Sequence, residues 1–322
     1  MEGYGNGGLK VQRNDLRKSG GLRELRRQFA KHYQLVLLLI PAIIYLLIFS
    51  YWPMYGVQIS FRDYRPDYGF FGSEWLGLKH FERFLTYPDF ARLISNTITI
   101  TVYRITVNFP IPIVLAIMLN EVQNRAFKKT VQTLTYMPHF ISTVVVCGMI
   151  MLFLDKDSGI INILIKACGG KAVAFMTTPS AYPHIHVWSG VWQNAGYATI
   201  IYIATLSQVD QSIVEAAVVD GASHIKRIWH VDIPCLIPTV IIQLLMSLGT
   251  LLTVGYEKVL LLQNDLNMET ADVISTYVYR VGLLGGQFSY TSAIGLINTF
   301  INVALLLIFN SISRKYSETS MF

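Results

Sequence analysis

Between Glu215 and Pro238 the chain reads EAAVVDGASHIKRIWHVDIPCLIP, a stretch with Glu, Asp, Lys, Arg and two His set between two long apolar runs. A second group of reactive side chains lies inside apolar runs: Arg104, Glu257 and Lys258, together with Tyr103, Asn108, Trp192, Gln193, Asn194, Tyr197 and Tyr256. Polar and ionisable groups at such positions are costly and turn towards a cavity or another helix. Aromatic rings stack on sugar faces and amides hydrogen-bond hydroxyls, so this set suits a polyhydroxylated ligand. Trp188 and Trp192 are four apart and share a helical face, as do Gln193 and Tyr197. An interfacial aromatic belt with helix–helix amide contacts explains the same residues, Trp188 best of all, and stays open as the alternative. Arg104 costs about 2.5–3.5 kcal/mol at the centre of a spanning helix. It therefore either pairs with Glu257 or lines a passage for an acidic sugar, and Glu257 and Lys258 equally fit pairing with other helices.

Other chemistry is not supported. The seven His are scattered, and no Ser/His/Asp set falls at one depth, so no catalytic residues are expected. His184 and His186 lie near each other but lack a third metal ligand. Cys147, Cys168 and Cys235 have neither disulfide-framework nor zinc spacing. A G-x-G-x-x-G match from Gly3 to Gly8 has no strand before it and opens a polar terminus, so it is no dinucleotide site. No P-loop occurs, because Gly170-Lys171 is followed by Ala172. The chain is expected to bind no cofactor of its own.

The elements that must position these residues are membrane spans. The chain is 52% hydrophobic and 14% charged with a mean hydropathy of +0.43, far fewer charges than a soluble domain carries. A bilayer core takes about 20 apolar residues as helix. Six runs qualify: Gln34–Met54, Leu93–Leu119, Val131–Leu154, His186–Leu206, Ile233–Leu262 and Tyr290–Ile312. The first is too long for a signal peptide and no small-residue cleavage site follows. With the N-terminus in the cytosol, inside segments hold 15 Lys and Arg against 9 outside, which favours N-in and C-in. The net charge of +6 is then an orientation signal and a lipid-facing tail, not a nucleic-acid footprint. This gives an all-α integral membrane protein: a basic cytoplasmic tail over 1–33, a first transmembrane helix over 34–54, an extracytoplasmic loop over 55–92, a transmembrane domain over 93–312 and a cytoplasmic tail over 313–322. The outer loops 55–92 and 263–289 either receive an extracytoplasmic protein or cap the outer ends of the spans.

On this topology residues 207–232 form a cytoplasmic loop. Ser212 and Glu215 have capping-box spacing, so a helix can start there. Ile213, Val214, Ala217 and Val218 share a face. Gly221 can end the helix in a left-handed conformation, Ala222–Trp229 can start a second, and Pro234 begins the next span. The physics alone leaves two readings: an interfacial re-entry loop, or a docking knob for a cytoplasmic partner.

This stretch resembles the EAA loop of binding-protein-dependent ABC importer permeases: E-A-A, three residues, G, about nine residues, then an aliphatic-x-x-P. Glu215, Ala216, Ala217, Asp220, Gly221, Ala222 and Pro234 match in order, with Val231 where the family often has Ile. The resemblance runs from about Leu93 to Ile312 and is to maltose-permease-like proteins of the oligosaccharide subgroup that includes the alginate importer. Supporting stretches are WLGLKHFERF, VGYEKVLLLQ and ADVISTYVYRVGL. It implies a type I ABC importer permease of six transmembrane helices in the bacterial inner membrane, working by alternating access. It further implies a second permease subunit, usually a different chain, two ATPase subunits that carry ATP and Mg, an extracytoplasmic solute-binding protein and an oligosaccharide substrate. Glu215, Ala216, Ala217, Asp220 and Gly221 take the ATPase-coupling role. In maltose-type permeases sugar contacts lie at a fixed spacing before the EAA glutamate, which falls here on Trp192, Gln193, Asn194 and Tyr197, with Tyr256, Glu257 and Lys258 near a second contact region. Arg104 and Lys258 lean the substrate towards an acidic, uronate-containing oligosaccharide, with a neutral one nearly level. Two rivals remain: a secondary transporter acting without an ATPase, for which paired halves are missing, and an integral-membrane enzyme.

Overall fold

The computed structural model describes residues 33–249, 252 and 254–316. The expected cytoplasmic tails fall outside them except for Tyr33 and residues 313–316. Among the described residues the chain is helical, with one isolated bridge between Arg62 and Trp75 and no strand. It divides into two compact units, Met1–Gln58 and Ile59–Phe322.

In the first unit, α1 (Tyr33–Leu46) continues through a wide π turn at Leu47–Tyr51 and tightens from Trp52. Within the long apolar helix Leu37–Phe61, the most apolar 18-residue stretch has no buried residue. A helix that is hydrophobic all round and uncovered belongs in lipid.

The second unit begins with a cap. Arg62 lies over the Trp75 ring at 5.4 Å, and Phe61 stacks on Trp75 at 5.6 Å. A short helix, α2 (Lys79–Leu85), places Arg83 4.2 Å from the centre of the Tyr290 ring. Loop 55–92 is thus packed from residue 59 onwards rather than a bare tether. The rod that follows, Phe90–Glu121, is α3 (Phe90–Asn108) and α4 (Pro110–Glu121), with Pro110 at the start of α4, where a missing N–H is tolerated.

The third expected span is broken. In place of one helix over Val131–Leu154 there are α5 (Arg125–Tyr136), a tight turn at Met137–Phe140 and α6 (Thr143–Phe153), bent by 102°. Pro138 disfavours helix before it, and the Ser142 hydroxyl accepts from the Val145 amide to start a new helix. A small helix, α7 (Ile160–Ala167), is tied down by buried Asn162, which bonds the backbone of Val173 in both directions.

α8 (Tyr182–Leu206) is the central rod, touching α3, α4 and α5. Its 25 residues would span a bilayer at about 1.5 Å each, although it falls below the hydropathy of the four long apolar helices. Gly196 lets α5 cross against it: a Cβ there would lie 2.1 Å from the Thr135 carbonyl oxygen.

The elbow follows as α9 (Gln211–Val219) and α10 (His224–Arg227). Two expectations change here. The N-cap of α9 is Asp210, whose carboxylate accepts from the Ser212 amide at 2.9 Å, instead of the Ser212–Glu215 capping box. Pro234 does not start a new helix either. α10 runs through a wide turn at Ile228–Asp232 into α11 (Ile233–Gly249), giving one rod over His224–Gly249. The proline falls inside that rod, directly after the wide turn, where the regular helical bonding is already altered. The fifth expected span, Ile233–Leu262, is likewise not one helix: α11 is described to Gly249 and a separate α12 (Tyr256–Leu262) starts after Gly255. α13 (Ile274–Val278) and α14 (Phe288–Tyr316) complete the chain, with α14 packed on α11.

Candidate functional site

At about 100° per residue, α8 presents two opposite faces. His186, Gly190, Gln193, Asn194 and Tyr197 fall on one; Trp188 and Trp192 fall on the other. The tryptophans line an apolar cleft of about 600 Å³ with Met149, Phe153 and Ile185. Trp188 donates its indole N–H to the Tyr103 hydroxyl at 2.9 Å, and that hydroxyl also bonds His184 Nδ1 at 2.9 Å. His184 is therefore engaged with Tyr103. The four-residue cluster expected around Trp192 is thus divided by helix geometry: Gln193, Asn194 and Tyr197 stay together, and Trp192 points elsewhere.

The polar face is built by three elements. The bend at Pro138 carries His139 onto α8, where its ring stacks on Tyr197 at 3.8 Å and 5° and its Nδ1 bonds Asn194 Oδ1 at 3.0 Å. Asn194 also donates to the Gly190 carbonyl at 3.2 Å, and Gln193 donates to the Ile141 carbonyl at 3.3 Å. α12 supplies Glu257 and Lys258. Together with Gly255 these residues line a cleft of about 460 Å³. Tyr256, one residue earlier, instead stacks on Tyr279 at 5.6 Å.

A second cleft, of about 320 Å³, lies beside the same rod between α3 and α11. It is lined by Arg104, Asn108, Tyr202, Gln243 and Ser247. Among the described residues neither Arg104 nor Lys258 forms an ion pair, and the Arg104–Glu257 pairing held open from the sequence is not made. Asn108 Oδ1 and His186 Nδ1 are buried without a hydrogen-bond partner.

At the other end of α8 the elbow is exposed. Glu215, Ala216, Asp220 and Gly221 are open to solvent and Ala217 is half-buried. Ile213, Val218 and Val219 are uncovered, Val219 at 85%. Gly221 has φ +74, and the Ala222 amide bonds the Ala217 carbonyl at 2.9 Å while Gly221 bonds Val218 at 3.0 Å. This is a Schellman close, for which a left-handed glycine is the favoured residue. The Ser212 backbone amide, with the Ser212 side chain second, holds the Asp210 carboxyl below its usual range.

Sequence reasoning missed the brace beneath this elbow. Glu121, at the end of α4, pairs with Arg227, which also reaches Asp232 at 3.4 Å; His224 approaches Glu121 at 3.3 Å. The pairing spans 106 residues, and no local pattern announces it. His139 was missed as well, although a histidine beside a proline inside an apolar run is a visible signal.

The chain matches the family described as "binding-protein-dependent transport system inner membrane component" over residues 108–318. It is 40% identical over 288 residues to the polygalacturonan/rhamnogalacturonan transport system permease protein YteP of Bacillus subtilis, covering 89% of this chain and 90% of that one. It is 26% identical to the arabinooligosaccharides transport system permease protein AraP of the same organism, over 93% of this chain and 94% of the relative. Among solved structures it is similar to a chain of a bacterial ABC transporter involved in the import of the acidic polysaccharide alginate. The TM-score is 0.84 at 37% identity, covering 91% of this chain and 99% of that one. A chain of a bacterial alginate ABC transporter in complex with an alginate pentasaccharide-bound periplasmic protein matches with a TM-score of 0.86 at 36% identity, covering 92% of this chain and 100% of that one. With its all-helical architecture and several long apolar helices, the chain belongs to the family of inner membrane components of binding-protein-dependent transport systems.

Proposed function

We propose that this chain is one permease subunit of an ATP-driven importer of uronate-containing oligosaccharides, working by alternating access. The observation that carries the reading is the elbow. It is shaped by a Schellman close at Gly221, held to α4 through Glu121 and Arg227, and leaves Ile213, Val218 and Val219 uncovered. A rigid, braced knob with a small apolar face is what a groove on a partner protein receives. That partner is an ATPase subunit, which carries ATP and Mg and hydrolyses the nucleotide; Glu215, Ala216, Ala217, Asp220 and Gly221 are the docking residues. This chain contributes no catalytic group.

Six spans account for the helices: four long apolar rods, the bent pair α5–α6 and the 25-residue α8. The excess of Lys and Arg in the short loops sets N-in and C-in. A second permease subunit completes the translocation path, and an extracytoplasmic binding protein delivers the sugar to the outer loops. The substrate class rests on Arg104 and Lys258, two cations that line clefts and form no ion pair among the described residues, and on relatives whose names refer to polygalacturonan and alginate.

The test is reconstitution of the chain with its permease partner, ATPases and binding protein in liposomes. Uptake of trigalacturonate should require ATP and every partner. Uptake by the chain alone would make it a secondary transporter, and uptake confined to neutral oligosaccharides would remove the uronate assignment.

A further inference from the structure

One lining residue from each of the two clefts beside α8 reaches the same glycine. A Cβ placed on Gly190 would lie 3.1 Å from the side-chain nitrogen of Asn108 and 3.7 Å from Lys258 Nζ. Asn108 belongs to the cleft of Arg104, and Lys258 to the cleft of Gln193, Asn194 and Glu257. Gly190 therefore lies beside a lining residue of each cleft, and two hydrogen-bond donors from different helices approach the same point next to it. No ion pair forms at Lys258 among the described residues, and the Asn108 side chain has a buried oxygen with no partner. One turn along the same face is His186, 94% buried by its 6% exposure, its Nδ1 also unpartnered and within electrostatic reach of both Lys258 and Arg104. Buried polar groups left unsatisfied mark places where a ligand completes the bonding.

We propose that Asn108 and Lys258, brought together across Gly190, form a carboxylate subsite in the translocation path, with a sugar hydroxyl donating to the free Asn108 oxygen. An ammonium and an amide N–H supply the two donors that a carboxylate's two oxygens accept. The absence of a side chain at residue 190 leaves room for a ligand atom between those donors. The inference rests on the uronate-importer reading above and deepens it by naming where one uronate group is held.

The experiment uses the complete importer in proteoliposomes with trigalacturonate as probe. Lys258→Gln should lower uptake at least tenfold, and Lys258→Arg should restore it to within about threefold, a rescue that a space-filling role would not give. Gly190→Ala should also lower uptake, because its methyl group occupies the point where the donors meet. Asn108→Asp, which sets a negative charge against the substrate, should do the same and serves as a second variant if Lys258→Gln fails to co-purify with its partners. Wild-type uptake by Lys258→Gln or by Asn108→Asp would overturn the subsite, as would equal losses in Lys258→Gln and Lys258→Arg. If the unsubstituted importer takes up no trigalacturonate but does take up a neutral oligosaccharide, the substrate-class reading fails and the subsite falls with it.

Discussion

Arg227 is the residue on which the elbow hangs. Its guanidinium is only 15% exposed and lies between Glu121, 26% exposed, and Asp232, 4% exposed. Removing it leaves two carboxylates facing each other with little solvent, and the cost of an orphaned buried charge exceeds the worth of the pair itself. Arg227→Met should lose about 1–3 kcal/mol of stability, measured by thermal unfolding in detergent. The double variant Glu121→Gln/Arg227→Met should lose less than the two single losses added. Additive losses would mean that the contact braces nothing. None of this is legible from the chain, because the partners are far apart in sequence and each looks like an ordinary surface charge. The opposite holds for α8. There the split between the polar face and Trp192 follows from 100° per residue alone, and grouping by chain proximity obscured it.

Elements with local signals were readable, and those shaped by distant contacts were not. The elbow's first helix could be placed because capping is a short-range matter, although Asp210 and not Ser212 supplies the cap. Hydropathy concealed the 102° bend of the third span, since Pro138 and Ser142 interrupt the helix without interrupting the apolar run. The close at Gly221 carries its own prediction. At φ +74 a Cβ costs about 1–2 kcal/mol, enough to fray the end of α9 and blur the docking surface. Gly221→Ala should reduce substrate-stimulated ATP hydrolysis in the assembled importer, and Gly221→Asn, whose side chain tolerates that conformation, should reduce it less. Indistinguishable rates for all three would separate the turn from coupling.

For the molecule as a whole, orientation is the property on which every assignment depends, and the native cysteines report it. Cys168 is exposed, Cys147 buried and Cys235 half-buried. With N-in topology a membrane-impermeant maleimide applied to intact protoplasts should label Cys168 in a Cys235→Ser background. Glu215→Cys should label only after permeabilisation. The reverse pattern would invert the protein and strand the elbow outside. That the chain carries several long apolar helices was legible, because apolar length adds up along the chain. The clefts were not, because they exist only where α3, α8, α11 and α12 converge. One last consequence concerns the wide turn at Ile228–Asp232, where each carbonyl reaches one residue further than in an ordinary helix. Such a turn inserts an extra residue without breaking the rod, so it shifts the azimuth of everything on its elbow side by about 100°. Excising that residue would leave the helix intact and the elbow correctly folded, yet facing a different compass bearing beneath the membrane.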